Sequence, residues 1–194
     1  TSGWVYLYLI SNGSAVAGLA SASSPTVAAP TMPSGYSYRT YVGAMYCNAS
    51  QSLMVTKQVG NRVQYVVSTS GTTLLSPTIV SGVQNTYSSL SPTLATASVT
   101  TVVPLTASEI NVLGVSNWKA GTTSNVLVAP NTSWGGTQRG PTGSVGNVDP
   151  IWSITASVSS NAWIELEGTT IAWCSSAAGG ALACLGWRDG YVVA

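Results

Sequence analysis

There is no histidine in these 194 residues and no phenylalanine, and only eleven side chains carry a formal charge. Each shortage excludes something. Without histidine, the Ser-His-Asp and Cys-His relays that activate a nucleophile cannot be assembled, and zinc loses its usual nitrogen ligand. The three cysteines, Cys47, Cys174 and Cys184, contain no CxxC pair and are odd in number, so no metal site and no complete disulfide framework is expected. The six basic residues are scattered and the net charge is +1, which leaves no basic stripe to neutralise phosphates and argues against nucleic-acid binding. No apolar run approaches the roughly 18 residues of a helical membrane span, so membrane insertion is not expected. Helix formers are sparse too, with no Ala/Leu/Glu/Lys run at period 3.6. The chain lacks an initiating Met and enters a strand almost at once, at Trp4, as a fragment or processed chain would.

What is present is hydroxyl and β-branched. The chain holds 29 Ser and 23 Thr, and hydrophobic residues make up 45% of it. Charge at 6% against roughly 25% in an ordinary domain, joined to that apolar content, is the opposite of a disordered composition. Val, Thr, Tyr, Trp and Ile suit a pleated, half-buried surface, and 20 Gly with 9 Pro punctuate the chain as turns. The expectation is one all-β domain over 1–194, an antiparallel sandwich or barrel of about twelve short strands, with a sub-boundary near 90–100.

Strands are expected at 4–10 and 16–20 across the Asn12-Gly13 turn, then at 36–47 with a bulge at Gly43, and at 52–59 and 63–68 across Gly60-Asn61. Further strands are expected at 72–80, 97–103, 109–116, 122–129, 151–158, 162–168, 170–175, 181–187 and 191–193. The stretch 105–109 has room for one helical turn at most. The glycine-rich stretch 130–149 is expected to be a long irregular loop, of the kind that often carries function. Ala178-Gly179-Gly180 is expected to join the last two long strands as a hairpin, which would set Cys174 opposite Cys184, as two buried thiols or a cross-strand disulfide.

The acids number five: Glu109, Asp149, Glu165, Glu167 and Asp189. Glu165 and Glu167 share a strand face at roughly 6.5–7 Å, a spacing a glycosidase pair could use, but solvent-facing carboxylates are far commoner. No catalytic residue, metal or cofactor is therefore assigned. The same alternation puts Trp163 beside both carboxylates and Ala162, Ile164 and Leu166 on the core side. A ring flanked by acceptors suits a sugar, a neighbouring subunit or ordinary packing under a loop. Trp134 and Arg139 fall in the 130–149 loop, where they would read a receptor or pin the loop to its own domain. The segment from Trp4 to Ile10 is apolar on both faces, which suggests cover on both sides and makes Trp4, Tyr6 and Tyr8 candidates for a subunit interface.

Three stretches carry a resemblance. Trp4–Ser21 (WVYLYLISNGSAVAGLAS) is an opening hairpin. Pro33, Ser34, Gly35, Tyr36, Arg39 and Gly43 form a turn into a basic, aromatic strand, followed by Val59, Gly60, Asn61 and Arg62 turning into another. Gly186–Gly190 (GWRDG) follows the closing hairpin. In order and spacing these resemble a group of phage and prophage tail-fibre-like proteins. The resemblance implies a place on the exterior of a phage particle, with other virion proteins as neighbours, and it supplies no catalytic residue to carry over. By analogy it implies a homotrimer that contacts a host-surface glycan. A purely structural role, as a capsid decoration protein, head fibre or adaptor, is the alternative.

Overall fold

In the computed structural model the described residues are 2–66, 76–82, 93–115, 125–133, 137–139, 145–147, 152–154, 159–176 and 179–192. They form fifteen strands and no helix: β1 (Gly3–Ser11), β2 (Val16–Ser21), β3 (Tyr38–Cys47), β4 (Thr56–Val59), β5 (Arg62–Tyr65), β6 (Thr78–Ser81), β7 (Ala95–Ser98), β8 (Ala107–Val115), β9 (Val126–Ala129), β10 (Thr137–Arg139), β11 (Val145–Asn147), β12 (Trp152–Ile154), β13 (Ser159–Glu165), β14 (Thr170–Ser175) and β15 (Ala181–Asp189). All pairings are antiparallel. The sheets are open, so the architecture is a sandwich and not a barrel.

A six-stranded sheet runs β13-β8-β15-β5-β4, with β6 also on β15, and faces a four-stranded sheet ordered β12-β9-β14-β7. Between them lies one core: Val63, Tyr65, Ile110, Val112, Ile164, Leu182 and Trp187 from the first sheet meet Ala97, Val126, Val128, Ile171 and Trp173 from the second. The four-stranded sheet is buried on its far side as well, through Leu127, Ala129, Ala172 and Cys174, with Leu94 against them. Strands covered twice lose the polar alternation, which is why β9 reads VLVA.

The third sheet, β2-β1-β3, is anchored by aromatics. Trp4 meets Trp187 edge-on at 5.4 Å and donates its indole N–H to the Thr100 carbonyl at 2.7 Å. Tyr6, Tyr8 and Ile10 are buried under this sheet, while Leu9 on the other face is 46% exposed. Within the chain the first strand is fully covered on one side only: the aromatic face is inside, while the aliphatic face has Val5 and Leu7 half-buried and Leu9 open. Tyrosine buries here because its tip finds a partner at the rim. The Tyr8 hydroxyl donates to the Ser23 carbonyl, and the Tyr6 hydroxyl accepts the Leu105 N–H.

The bulge expected at Gly43 is present. Leu7 pairs with Gly43 and Tyr8 with Tyr41, which leaves Val42 extra, and the φ of Gly43 is 156°. Other expectations are corrected. The strand near 97–103 is β7 and stops at Ser98; Val99, Val102 and Val103 coil into a turn closed on the Val99 carbonyl and plug the core ahead of Pro104. No helical turn forms at 105–109, because β8 begins at Ala107. The loop 130–149 contains a short ladder, β10 with β11. Tyr191 sits in a bend, its N–H bonded to Asp189 Oδ1.

The largest correction concerns Gly179-Gly180. β14 belongs to the four-stranded sheet and β15 to the six-stranded one, so the connection crosses between layers and is no hairpin. Cys174 and Cys184 lie in different sheets, both buried and both free, which removes the cross-strand disulfide. A side chain at Gly180 would run into Ser175 and come 3.1 Å from Val126 Cγ2, so only glycine fits this corner.

Candidate functional site

Chain pairing sorts the rare charges onto one surface. On β8, Ile110 and Val112 point into the core, so Glu109 and Asn111 point out. Register then carries that outward face across the six-stranded sheet. Glu165 is opposite Glu109, Glu109 opposite Arg188, Arg188 opposite Arg62, and Arg62 opposite Val59. The next row is Trp163, Asn111, Gly186, Gln64 and Lys57. Five of the eleven charged residues, Lys57, Arg62, Glu109, Glu165 and Arg188, thus share one face, acids at the β13 side and bases at the β4 side.

The row of charges balances itself locally. Directly opposed like charges repel, and Glu109 and Glu165 are such a pair. Arg188 offsets this by bonding Glu109, Nη1 to Oε2 at 2.7 Å. Arg188 also lies over the Trp163 ring, its Cζ 4.8 Å from the centroid, and Arg62 lies 5.4 Å from the same centroid. Trp163, two strands from Arg188 and three from Arg62, therefore reaches across the sheet to meet both. Guanidiniums gather at an indole because its face carries negative potential. Asn161 Nδ2 donates to Asn111 Oδ1 at 3.1 Å and fixes the neighbouring amide. Gly186 leaves a gap in the Trp163 row, and it has no alternative: a Cβ there would strike the Val63 carbonyl and come 2.9 Å from Gln64 Cα.

At the β4–β5 side a shallow groove is lined by Lys57, Val59, Arg62 and Gln64. Among the described residues the one ion pair is Arg188–Glu109, and no described carboxylate pairs with the two cations of this groove. Chemically the face offers the Lys57 ammonium, the Arg62 guanidinium beside the Trp163 ring, the exposed Gln64 amide, an exposed carboxylate at Glu165 and a partly exposed indole rim.

The expected trio of Trp163, Glu165 and Glu167 is only partly assembled. Trp163 and Glu165 share the face, but β13 ends at Glu165. Glu167 lies in the turn beyond, where Asn131 Nδ2 donates to its Oε2. The second carboxylate near Trp163 is Glu109 instead. Tyr6 and Tyr8 are 3% exposed and buried within their own chain, so their assignment to a subunit interface is corrected, whereas Trp4 packs on Trp187 and stays half-buried. Arg139 lies in β10, and its side chain is outside the described residues, as is Trp134 altogether. Sequence reasoning missed Arg62, Arg188, Glu109 and Lys57 as site residues. They lie far apart in the chain, and only register joins them; the one local hint was that Arg62 and Arg188 each sit beside a glycine turn.

A buried network ties the layers together away from this face. Asp189, 1% exposed, accepts the Tyr41 hydroxyl at 2.6 Å and the Thr106 hydroxyl at 2.7 Å on Oδ2, and the Tyr191 N–H on Oδ1. Burial, and then the hydrogen bond to Asp189, push the Tyr41 phenol far above its usual range. Burial likewise raises the Cys174 thiol to about 11 and drives Cys184 higher still. A raised thiol is a poor nucleophile. Among the described residues no group of His, Cys, Asp and Glu has the makings of a metal site. No family model, curated protein or solved structure matches the chain.

Proposed function

We propose that this chain is a non-enzymatic module of a bacteriophage particle's exterior that adheres to a host-surface glycan through the outer face of its six-stranded sheet. The phage context rests on the resemblance of the segments Trp4–Ser21, Pro33–Arg62 and Gly186–Gly190. The contact face rests on a single observation: in a chain almost without charge, five charged residues and a part-exposed Trp are gathered on one solvent-facing surface. Chance scatter would spread them. The groove of Lys57 and Arg62, with Gln64 opposite Lys57 and two residues along β5 from Arg62, suits a sugar bearing carboxylate or phosphate, which a guanidinium binds through two parallel hydrogen bonds.

Lys57→Ala, Arg62→Ala and Trp163→Ala are expected to weaken binding of the chain to host cells at least tenfold each. Binding should also fall steeply with salt, as charge-led contacts do. Unchanged adsorption by all three variants refutes the contact face. For the non-enzymatic reading, host polysaccharide incubated with the chain should keep its length, and Glu165→Gln should bind as the parent does. Chain shortening that Glu165→Gln abolishes would make the protein a depolymerase.

A structural role, as decoration protein, head fibre or adaptor, is favoured by a different observation. The open face of the three-stranded sheet exposes Leu9, Val16 and Tyr38 at 46%, 70% and 67%. A chain that only binds sugar has no use for that surface.

A further inference from the structure

We infer that two copies of this chain join edge to edge through β2, around a two-fold axis that passes by Gly18. The observation is a difference in how sheet edges are finished. Exposed edges invite another strand, and proteins guard them with short length, charge, proline or cover. Here β7 has four residues, β12, β10 and β11 have three each, β4 carries Lys57 and β13 carries Glu165. The far edge of β3 is covered from Val42 to Cys47, where Cys47 bridges to Leu53, the Met54 N–H bonds the Tyr46 carbonyl and the Gln58 amide caps the Val42 carbonyl at the bulge, and its other half carries Arg39. β2, Val16–Ser21, has none of these devices. Among the described edge strands it alone has six residues with neither charge nor proline. Its outward residues Val16, Gly18 and Ala20 are exposed, Val16 at 70%, so no described residue lies over them.

The phase of the ladder says which groups wait there. The Asn12 N–H bonds the Ala15 carbonyl at 3.3 Å. Bonded and non-bonded pairs alternate along an antiparallel ladder. Counting from that bond, Ala17, Leu19 and Ser21 bond β1, while Val16, Gly18 and Ala20 turn their N–H and C=O groups to the free edge. These three are centred on Gly18. An antiparallel copy then sets Gly18 against Gly18, and Val16 against Ala20 twice over, with about six hydrogen bonds in all. The occupant is a second copy for two reasons. The uncharged edge repels nothing of its own kind, and the other edge of this sheet is guarded by cover over Val42–Cys47 and by Arg39. A contact with only one free edge per copy is isologous and ends at a dimer. A trimer built edge to edge on this sheet would need the β3 edge, which is covered from Val42 to Cys47 and carries Arg39 beyond it. About six hydrogen bonds correspond to roughly 600–1,200 Å² of interface, at the small end of specific contacts, so the dimer is reversible and grows with concentration.

Sedimentation or native mass spectrometry from micromolar to millimolar concentration tests this, together with hydrogen exchange of single amides. The expected result is a monomer–dimer equilibrium in which the Val16, Gly18 and Ala20 amides slow as concentration rises. Ala20→Pro removes an outward N–H and no bond within the hairpin. Gly18→Lys places like charges face to face, and a Cβ at Gly18 meets nothing within 4 Å, so the monomer tolerates it. Both variants should keep the parent's melting temperature and raise the dissociation constant at least tenfold. A monomer at every concentration, a trimer, or a dimer indifferent to both variants would overturn the inference.

Discussion

Tyr41→Phe removes one oxygen from the junction between the three-stranded sheet and the sandwich, and its cost can be worked out. The phenol donates to Asp189 Oδ2 at 2.6 Å in a site where the acid is 1% exposed. A hydrogen bond to a charged group contributes about 1.5–3 kcal/mol net. Thr106 and Tyr191 still donate to the same carboxyl, so it is not orphaned and the loss stays in that range. Phenylalanine keeps the ring contacts with Tyr6 and Tyr8 at 6.3 and 5.7 Å, so packing should change little. For a chain of this size the shift is about 3–12 °C in melting temperature, read by scanning calorimetry and by urea unfolding at pH 7. Thr106→Val removes the other donor to Oδ2, and the double variant should lose more than the two singles together, with a coupling of about 0.5–3 kcal/mol. A loss below about 0.5 kcal/mol for Tyr41→Phe, the size of an ordinary surface change, would mean that water serves this carboxyl and that the junction is not held as described.

Of the three thiols, only Cys47 is outside the core, so a maleimide should label one per native chain and all three after unfolding; labelling of two in the native state would contradict the burial of Cys174 or Cys184. Gly186→Ala should destabilise by about 1–3 kcal/mol, because its methyl strikes the β5 backbone instead of a movable side chain; parental stability would show that β15 and β5 do not approach so closely. Stability should hold through neutral pH and fall above about pH 9. Cys174 keeps its proton to about 11 when folded but releases it near 9 when unfolded, so the unfolded state binds fewer protons in that window and gains as pH rises. Cys184, Tyr41 and Tyr65, raised in the same direction by burial, extend the decline upward. Urea midpoints from pH 7 to 11 check this, and a flat profile would refute it.

The parts of the fold that local signals encode were legible. The Asn12-Gly13 turn, the bulge at Gly43 and the Gly60-Asn61 turn all follow from backbone chemistry within a few residues. Alternation placed Ile164 inward and Trp163 outward correctly. Pairing over distance was not legible. Nothing in AAGG says whether its flanking strands join each other or part into two layers, and that choice decided the fate of Cys174 and Cys184. On β1, alternation gave two apolar faces without saying which is inside. The rings won because Trp4, Tyr6 and Tyr8 reach polar partners supplied by residues 23, 100 and 105. The candidate face suffered most, since it is written in the register of five strands drawn from residues 57–188.

β15 occupies the middle of the six-stranded sheet, although it follows every one of its partners in the chain. During synthesis, β4, β5, β6 and β8 leave the ribosome long before the strand that joins them. The β1–β2 hairpin with β3, and the β4–β5 hairpin, can set early, since their partners lie close in the chain. The β5, β6 and β8 edges that β15 fills must wait open until residues 181–189 emerge, and such distant pairings are slow. The same charge poverty that lets copies approach one another gives those waiting edges little mutual repulsion. Crowding of nascent chains on one messenger is therefore this protein's moment of greatest danger, and slowed translation just before residue 181 would lengthen it.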